Sequence, residues 1–229
     1  MNVAALMPVK GFRNAKQRLN PLLNSVAREH LAEIMFRDVL RQVRLARGLA
    51  ATFVVTGDDR VAAIAATAGA EVIREKSENG ETAAVDFARK ELKSAGCEAV
   101  LILPGDMPLL RASDVESVLA QVPQDARAPF ALLVPSHDRL GTNALLLAPP
   151  DVIELRFGHD SFAFHMSRVT AQGLPVRFFE NERIALDIDE PKDLERFLSY
   201  GFADSEAARV ARKLLAEPRA AQSPHSGDA

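Results

Sequence analysis

Short apolar runs alternate along the chain with longer stretches in which apolar residues recur every three or four positions. This is the pattern of strands feeding helices in an α/β sheet. Residues 3–7 read as a first strand. A long helix follows, from Ser25 as N-cap to a stop at Gly48, with Leu31, Ile34, Met35, Val39 and Val43 near one face. Residues 52–56 form a second strand, and Asp58 caps a helix that ends at Gly69. A short strand at 71–74 precedes a helix over 81–95, stopped at Gly96. Residues 99–103 are the most apolar run and belong at the centre of the sheet. Ser113-Asp114-Val115-Glu116 has the form of a capping box opening another helix.

Beyond that helix the order changes. Residues 130–135 and 142–147 read as two strands joined by a polar turn over 136–141. A helix is expected over 162–172, then strands over 175–179 and 185–188. Pro191 stands at the first position of a helix ending near Gly201, where its missing N–H costs nothing. The expected architecture is Rossmann-like, a mostly parallel mixed sheet with helices on both faces. With 229 residues, 48% of them hydrophobic, the chain can bury one substantial core. Residues 1–203 are therefore read as one domain. Residues 204–229 are read as a tail, a short helix and then a Pro/Ser/Gly-rich disordered end.

Composition narrows the function. A formal net charge of −3 with no Lys/Arg block gives no reason to expect a nucleic-acid partner. A single cysteine, Cys97, excludes an intramolecular disulfide and a multi-cysteine zinc site. The absence of an 18-residue apolar run and of a signal-peptide pattern leads to the expectation of a soluble, cytoplasmic protein without a membrane role.

The chemistry concentrates at strand ends, where an open α/β sheet binds its ligands. After the first strand come Pro8, Lys10, Lys16 and Arg18, compact and forked cations suited to phosphate. There is no GxxxxGK[ST] run, so this is not a Walker-type loop. After the central strand comes Asp106, in Pro104-Gly105-Asp106-Met107-Pro108, and before Pro191 come Asp187 and Asp189. Two residues apart in an extended segment, these last two share a face. Each acid has an ordinary reading, as a turn residue or as a charge near a helix N-terminus. Together they form an oxygen set suited to Mg²⁺ against a nucleotide's phosphates. Acid for metal and base for phosphate suggest nucleotidyl transfer. Gly141-Thr142-Asn143 and the run 156–162 supply glycines for close approach, hydroxyls and a helix start that could hold a small phosphorylated acid; spacing alone favours the plainer reading, a hairpin turn and an ordinary N-cap. His159 and His165, six apart, do not share a helix face and are read as surface or packing residues.

These segments resemble the 2-phospholactate guanylyltransferase family, which serves biosynthesis of coenzyme F-420. The resemblance is carried by Pro8-Val9-Lys10, Ala15-Lys16-Gln17-Arg18-Leu19, Pro104-Gly105-Asp106-Met107-Pro108-Leu109, Gly141-Thr142-Asn143, Phe157-Gly158-His159-Asp160-Ser161-Phe162 and Asp187-Ile188-Asp189-Glu190-Pro191. It implies a fold of the nucleotidyltransferase-like GT-A type and attack by a phospho-acid on the α-phosphorus of GTP, with pyrophosphate leaving. The acid would be 2-phospho-L-lactate, phosphoenolpyruvate or 3-phospho-D-glycerate. By resemblance, Asp106 and Asp189, with Asp187, hold Mg²⁺. Lys16 and Asp106 are catalytic, and Pro8, Lys10, Lys16, Arg18, Gly80 and Thr82 bind GTP. Thr142, Gly158 and Ser161 bind the acceptor, and a homodimer is expected.

The chain departs from the family at Asn79-Gly80-Glu81-Thr82, where Glu81 and Thr82 replace a usual Leu-Asn. Glu81 could accept from guanine N1 and N2 or only favour its helix N-terminus. Two rivals follow. One is another enzyme of the same fold, acting on a molybdopterin or a sugar phosphate. The other is a nucleotide-binding protein without activity.

Overall fold

A computed structural model describes residues 1–75, 80–123, 129–201 and 204–222. Seven strands form one sheet: β1 (Val3–Pro8), β2 (Ala51–Thr56), β3 (Glu71–Arg74), β4 (Ala99–Ile102), β5 (Phe130–Pro135), β6 (Thr142–Ala148) and β7 (Arg177–Phe178). Among the described residues seven α-helices accompany them: α1 (Ser25–Leu45), α2 (Asp59–Thr67), α3 (Glu81–Ser94), α4 (Ala112–Leu119), α5 (Ser161–Ala171), α6 (Pro191–Ser199) and α7 (Glu206–Ala216). The strand order is β3-β2-β1-β4-β6-β5-β7. The first four run parallel, β6 is antiparallel to β4 and to β5, and β7 is parallel to β5. The sheet is therefore mostly parallel and mixed, with the apolar β4 at its middle.

The alternation of β1 shows how the sheet is covered. Val3, Ala5 and Met7 face one core with Phe36 and Val39 of α1, Val61 of α2 and Val115 of α4. Ala4 and Leu6 face the other, with Val85 and Ala88 of α3 and Phe162 and Val169 of α5. Helices thus lie on both faces, as continuous apolar strands require. A third cluster joins Leu31 and Met35 of α1 to Leu194 and Phe197 of α6 and to Ala207, Ala208, Ala211 and Leu214 of α7. Asp38 caps that last helix by accepting from the Ala207 N–H at 2.8 Å. Beyond α7 the buried Gln222 side chain accepts from the Asn24 N–H and donates to the carbonyl of Leu214. Residues 223–229, at the end of the expected disordered stretch, lie outside the described residues.

Four local expectations need correction. Residues 185–188 are not a strand. Ile184, Leu186 and Ile188 are buried in alternation, which mimics a strand. Yet among the described residues the segment's backbone makes isolated bonds, Ile188 N–H to the Asp106 carbonyl (3.2 Å), His137 N–H to the Ala185 carbonyl (2.9 Å) and Ala185 N–H to the Asn181 carbonyl (2.9 Å), instead of a ladder. Of 175–179 only Arg177 and Phe178 pair as β7, because Leu132 and Leu133 are the only residues of β5 in register with them. Asn24, not Ser25, is the N-cap of α1, its side chain accepting from the Ala27 N–H. At α4 the N-cap is Arg111, and Asp114 reaches back to the Arg111 N–H at 2.8 Å, so the helix starts earlier than Ser113 implies.

Candidate functional site

The ends of β1 and β4 open onto one cleft. After β1 the chain loops outward, pinned at two places by apolar side chains. Phe12 is buried against Phe36, with the Arg60 guanidinium over its ring, and Leu19 and Leu23 enter the third core cluster. Gly11 lies so close to Asp58 that a Cβ would stand 2.5 Å from its carboxylate oxygen, so the loop's path excludes larger residues there. Between the anchors, Asn14 and Lys16 adopt left-handed backbone (φ 63° and 53°), and a single 3₁₀ turn follows at Gln17–Leu19. Left-handed backbone is uncommon in a lysine and persists where surroundings over-determine it.

Here the surroundings are two carboxylates. The Lys16 ammonium donates to Asp106 Oδ2 at 2.5 Å and to Asp189 Oδ1 at 2.9 Å, with only 9% of its side chain exposed. Burial alone would lower its pKa; Asp106 and Asp189 override that and hold it well above the ordinary lysine value. At Asp189 burial would raise the pKa, but the Lys16 charge and hydrogen bond win and depress it. Asp187 has no such partner. Burial, then Asp106 and Asp189 nearby, push its carboxyl up to about 6, against the Asn143 amide that donates to it at 3.0 Å.

The segment carrying Asp187 and Asp189 is held at both ends. Upstream, Arg183 Nε and Nη2 clamp the buried Asp114 at 2.7 and 2.6 Å, and the Asn181 amide donates to the same carboxylate. Downstream, Asp193 Oδ2 accepts from the N–H groups of Asp189 and Glu190 at the start of α6.

Asp106 Oδ1 is buried without a hydrogen-bond partner. An acceptor oxygen left bare beside two further carboxylates suits a hard cation, and Mg²⁺ is commonly held by one or two carboxylates together with substrate phosphates. The described residues contain no ready-made group of three or more His, Cys, Asp or Glu ligands, so phosphate oxygens would have to complete the set.

Two cavities meet at this cluster, sharing Glu81, Pro104, Asp106 and Asp189. The first, about 380 Å³, lies over the β1 loop and is lined by Pro8, Lys10, Lys16, Phe36, Val55 and Ala84, among others. The second, about 420 Å³, is lined by Arg18, Thr142, Asn143, Gly158, Ser161 and Asp187, with Lys192 and His159 at its edge. Both volumes suit small-molecule ligands.

The expected residues divide between these cavities. Pro8, Lys10 and Lys16 line the first, whereas Arg18 lines the second and meets Glu190 at 3.4 Å. Gly80 and Thr82 line neither. Gly80 is the N-cap of α3 (φ 92°), and the Thr82 hydroxyl accepts from the Phe157 N–H at 3.0 Å, tying α3 to the loop before α5. Asn79 lies outside the described residues. Glu81 stands where the cavities join; burial and then Asp106 push its carboxyl up to about 7, partly opposed by Lys10.

Thr142, Gly158 and Ser161 converge on the second cavity. Gly158 turns the chain into α5 with φ 101°. Ser161 opens α5, and its hydroxyl accepts from the Thr142 N–H at 3.0 Å. Two residues given no binding role of their own by sequence reasoning, Asn143 of the Gly-Thr-Asn run and His165, support them. Asn143 bonds both the Ile184 carbonyl and Asp187, and His165, fully buried, stands 3.0 Å from the Thr142 hydroxyl. The Ser161–His165 spacing of four on one helix was the available signal for the second.

Cations and acids at the carboxyl ends of a mostly parallel sheet, with a cavity on each side, define a nucleotidyltransferase-like protein. Solved structures agree on the fold. A Desulfovibrio desulfuricans protein described as a nucleotide-diphospho-sugar transferase superposes with a TM-score of 0.75 at 18% identity, over 94% of this chain and 97% of its own. A 4-diphosphocytidyl-2C-methyl-D-erythritol synthase gives 0.59 at 14%, over 94% and 100%. The chain belongs to the guanylyl transferase CofC-like family, matching it over residues 3–226. It is 37% identical to the phosphoenolpyruvate guanylyltransferase of Rubrobacter xylanophilus, over 88% of this chain and 96% of that one. It is 32% identical to the 2-phospho-L-lactate guanylyltransferase of Methanothermobacter thermautotrophicus (93% and 92%) and 35% identical to the 3-phospho-D-glycerate guanylyltransferase of Phenylobacterium zucineum (82% and 86%).

Proposed function

We propose that the protein transfers GMP from GTP to a small phosphorylated acid, releasing pyrophosphate, as a step towards coenzyme F-420. The acceptor is one of the three acids named in its relatives, 2-phospho-L-lactate, phosphoenolpyruvate or 3-phospho-D-glycerate. The observation that carries the reading is the Lys16–Asp106–Asp189 cluster standing between two cavities, one for each reactant.

In this reading the nucleotide occupies the cavity lined by Pro8, Lys10 and Lys16, with its α-phosphate beside the cluster. The acceptor occupies the other cavity, where Thr142, Ser161 and the start of α5 face its anionic end and Arg18 adds charge. An acceptor phosphate oxygen attacks the α-phosphorus; the bond to the β-phosphate bridging oxygen breaks, and its electron pair leaves with pyrophosphate. Lys16 exchanges its carboxylate contacts for triphosphate oxygens and neutralises the charge that develops on them. Asp106 and Asp189, with Asp187 beside them, would hold Mg²⁺, which would supply charge neutralisation for the phosphates. Little covalent assistance is needed, because holding nucleophile and phosphorus in line supplies much of the rate. The protein works in the cytoplasm, where its substrates are, and as a homodimer.

Asp106→Asn tests the assignment. The variant should lose pyrophosphate release while keeping its unfolding midpoint within a few degrees of the parent. Normal turnover would remove Asp106 from the site.

A further inference from the structure

His165 is the most buried polar side chain near the second cavity, and every polar atom of its ring is engaged. The Arg156 N–H donates to His165 Nε2 at 3.2 Å, so that nitrogen carries a lone pair. With the ring neutral, the proton resides on Nδ1, which faces Thr142 Oγ1 at 3.0 Å. Thr142 Oγ1 therefore accepts from the ring. Its neighbour Ser161 Oγ accepts from the Thr142 N–H. Each hydroxyl thus accepts one hydrogen bond from protein and keeps its own hydrogen and a second lone pair, and among the described residues none of the hydrogen bonds takes that hydrogen. Thr142 and Ser161 both line the cavity. Phe157 and Phe164 stand edge-on to the His165 ring at 5.6 and 5.8 Å between centroids, which fixes its orientation.

We propose that His165 is a positioning residue: its ring holds the Thr142 oxygen from behind, and with it the neighbouring Ser161 hydroxyl, so that their hydrogens are given to an anionic oxygen of the ligand in this cavity. A bond accepted from Nδ1–H limits the directions in which the Thr142 hydroxyl can give its own hydrogen. Burial, then the Arg156 and Arg89 charges, keep the ring neutral through the physiological range, which preserves the arrangement. The link to the acceptor's acid group rests on the function proposed above. The tautomer and the direction of the hydrogen bonds do not.

Two measurements separate those dependencies. The ¹⁵N spectrum of the histidine-labelled protein, assigned with His165→Phe, should show His165 with a protonated Nδ1 and a bare Nε2 at pH 7. The reverse tautomer would overturn the proposal whatever the enzyme does. Kinetics then test the consequence. His165→Phe should raise the acceptor KM about tenfold, the usual scale for a lost hydrogen bond to a charged group, with the GTP KM within twofold. His165→Asn, whose amide can stand in place of Nδ1–H, should recover most of the loss. An unchanged acceptor KM in a folded His165→Phe would refute the positioning role. A parallel rise in both KM values would reduce His165 to packing. If no acid is turned over by the parent protein, the proposed function fails, and the tautomer result still decides the hydrogen-bond assignment.

Discussion

Replacing Lys16 by methionine removes one positive charge from a site where it faces two negative ones. The ammonium lies 2.5 and 2.9 Å from Asp106 and Asp189, and its side chain is 9% exposed. At an effective dielectric constant of about 20, each contact is worth roughly 6 kcal/mol of Coulomb energy before desolvation. The carboxylates are 28% and 49% exposed, so water takes over much of their solvation once the lysine is gone. What remains is the mutual repulsion of Asp106, Asp187 and Asp189, and the net loss of stability should be about 2 kcal/mol. The left-handed backbone at Lys16 (φ 53°) supplies an internal control. Lys16→Gly removes the same charge and relieves about 1 kcal/mol of backbone strain, but it also deletes a buried side chain, a loss of about 2–5 kcal/mol, so it should be the less stable of the two variants. Both should lose roughly 10²- to 10³-fold in kcat, the usual cost of deleting a preorganised charge. Urea unfolding gives the first quantity and pyrophosphate release the second. A Lys16→Met protein with kcat within threefold of the parent, or a Lys16→Gly protein more stable than Lys16→Met, would refute the reasoning.

Three further outcomes follow from the same geometry. Glu81, with its carboxyl raised from 4.5 to about 7, holds a proton in the fold that the unfolded chain has lost, so its burden on stability grows as pH rises from 4.5 to 7. Glu81→Gln should therefore be more stable than the parent by about 1–3 kcal/mol at pH 8 and nearly equal to it at about pH 4; the same difference at both pH values would contradict this. His165 behaves in the opposite sense. Its pKa falls from 6.5 to about 4 in the fold, so the unfolded chain takes up the proton first and stability declines as pH drops below 6.5. Between pH 7 and pH 5 the parent should lose about 2 kcal/mol that His165→Phe does not lose, read from paired urea titrations. Finally, Arg183→Met should cost about 2–4 kcal/mol by leaving Asp114 buried without its cation, and should lower kcat because the segment bearing Asp187 and Asp189 loses its upstream clamp. Full activity at reduced stability would detach the clamp from the site.

Hydrophobic alternation made most of the sheet readable before any coordinates. Strand 71–74 and strand 130–135 fall where the apolar runs place them, and Asp58 caps α2 through the Val61 N–H. The failures share a cause. Residues 185–188 have the burial pattern of a strand without a partner to pair with, and burial pattern is all that periodicity reports. The acids at strand ends were legible because an open sheet delivers its strand ends to one edge, which brings Asp106 to Lys16 across ninety positions. The division of the site was not. Arg18 reads as a partner of Lys10, yet the 3₁₀ turn carries it into the second cavity, and Thr82, read as a nucleotide contact, lines neither cavity and accepts from the Phe157 N–H. His165 was passed over because histidine was sought as a ligand pair with His159, when its partner is Thr142 on a distant strand.

Pyrophosphate release in the presence of Mg²⁺ tests the central claim most directly. GTP, ATP, CTP and UTP would each be paired with 2-phospho-L-lactate, phosphoenolpyruvate or 3-phospho-D-glycerate. The account predicts turnover with GTP and one of the three acids, and none when Asp106 is asparagine. Preference for another nucleotide, or silence across all twelve pairs from folded protein that binds GTP, would contradict it.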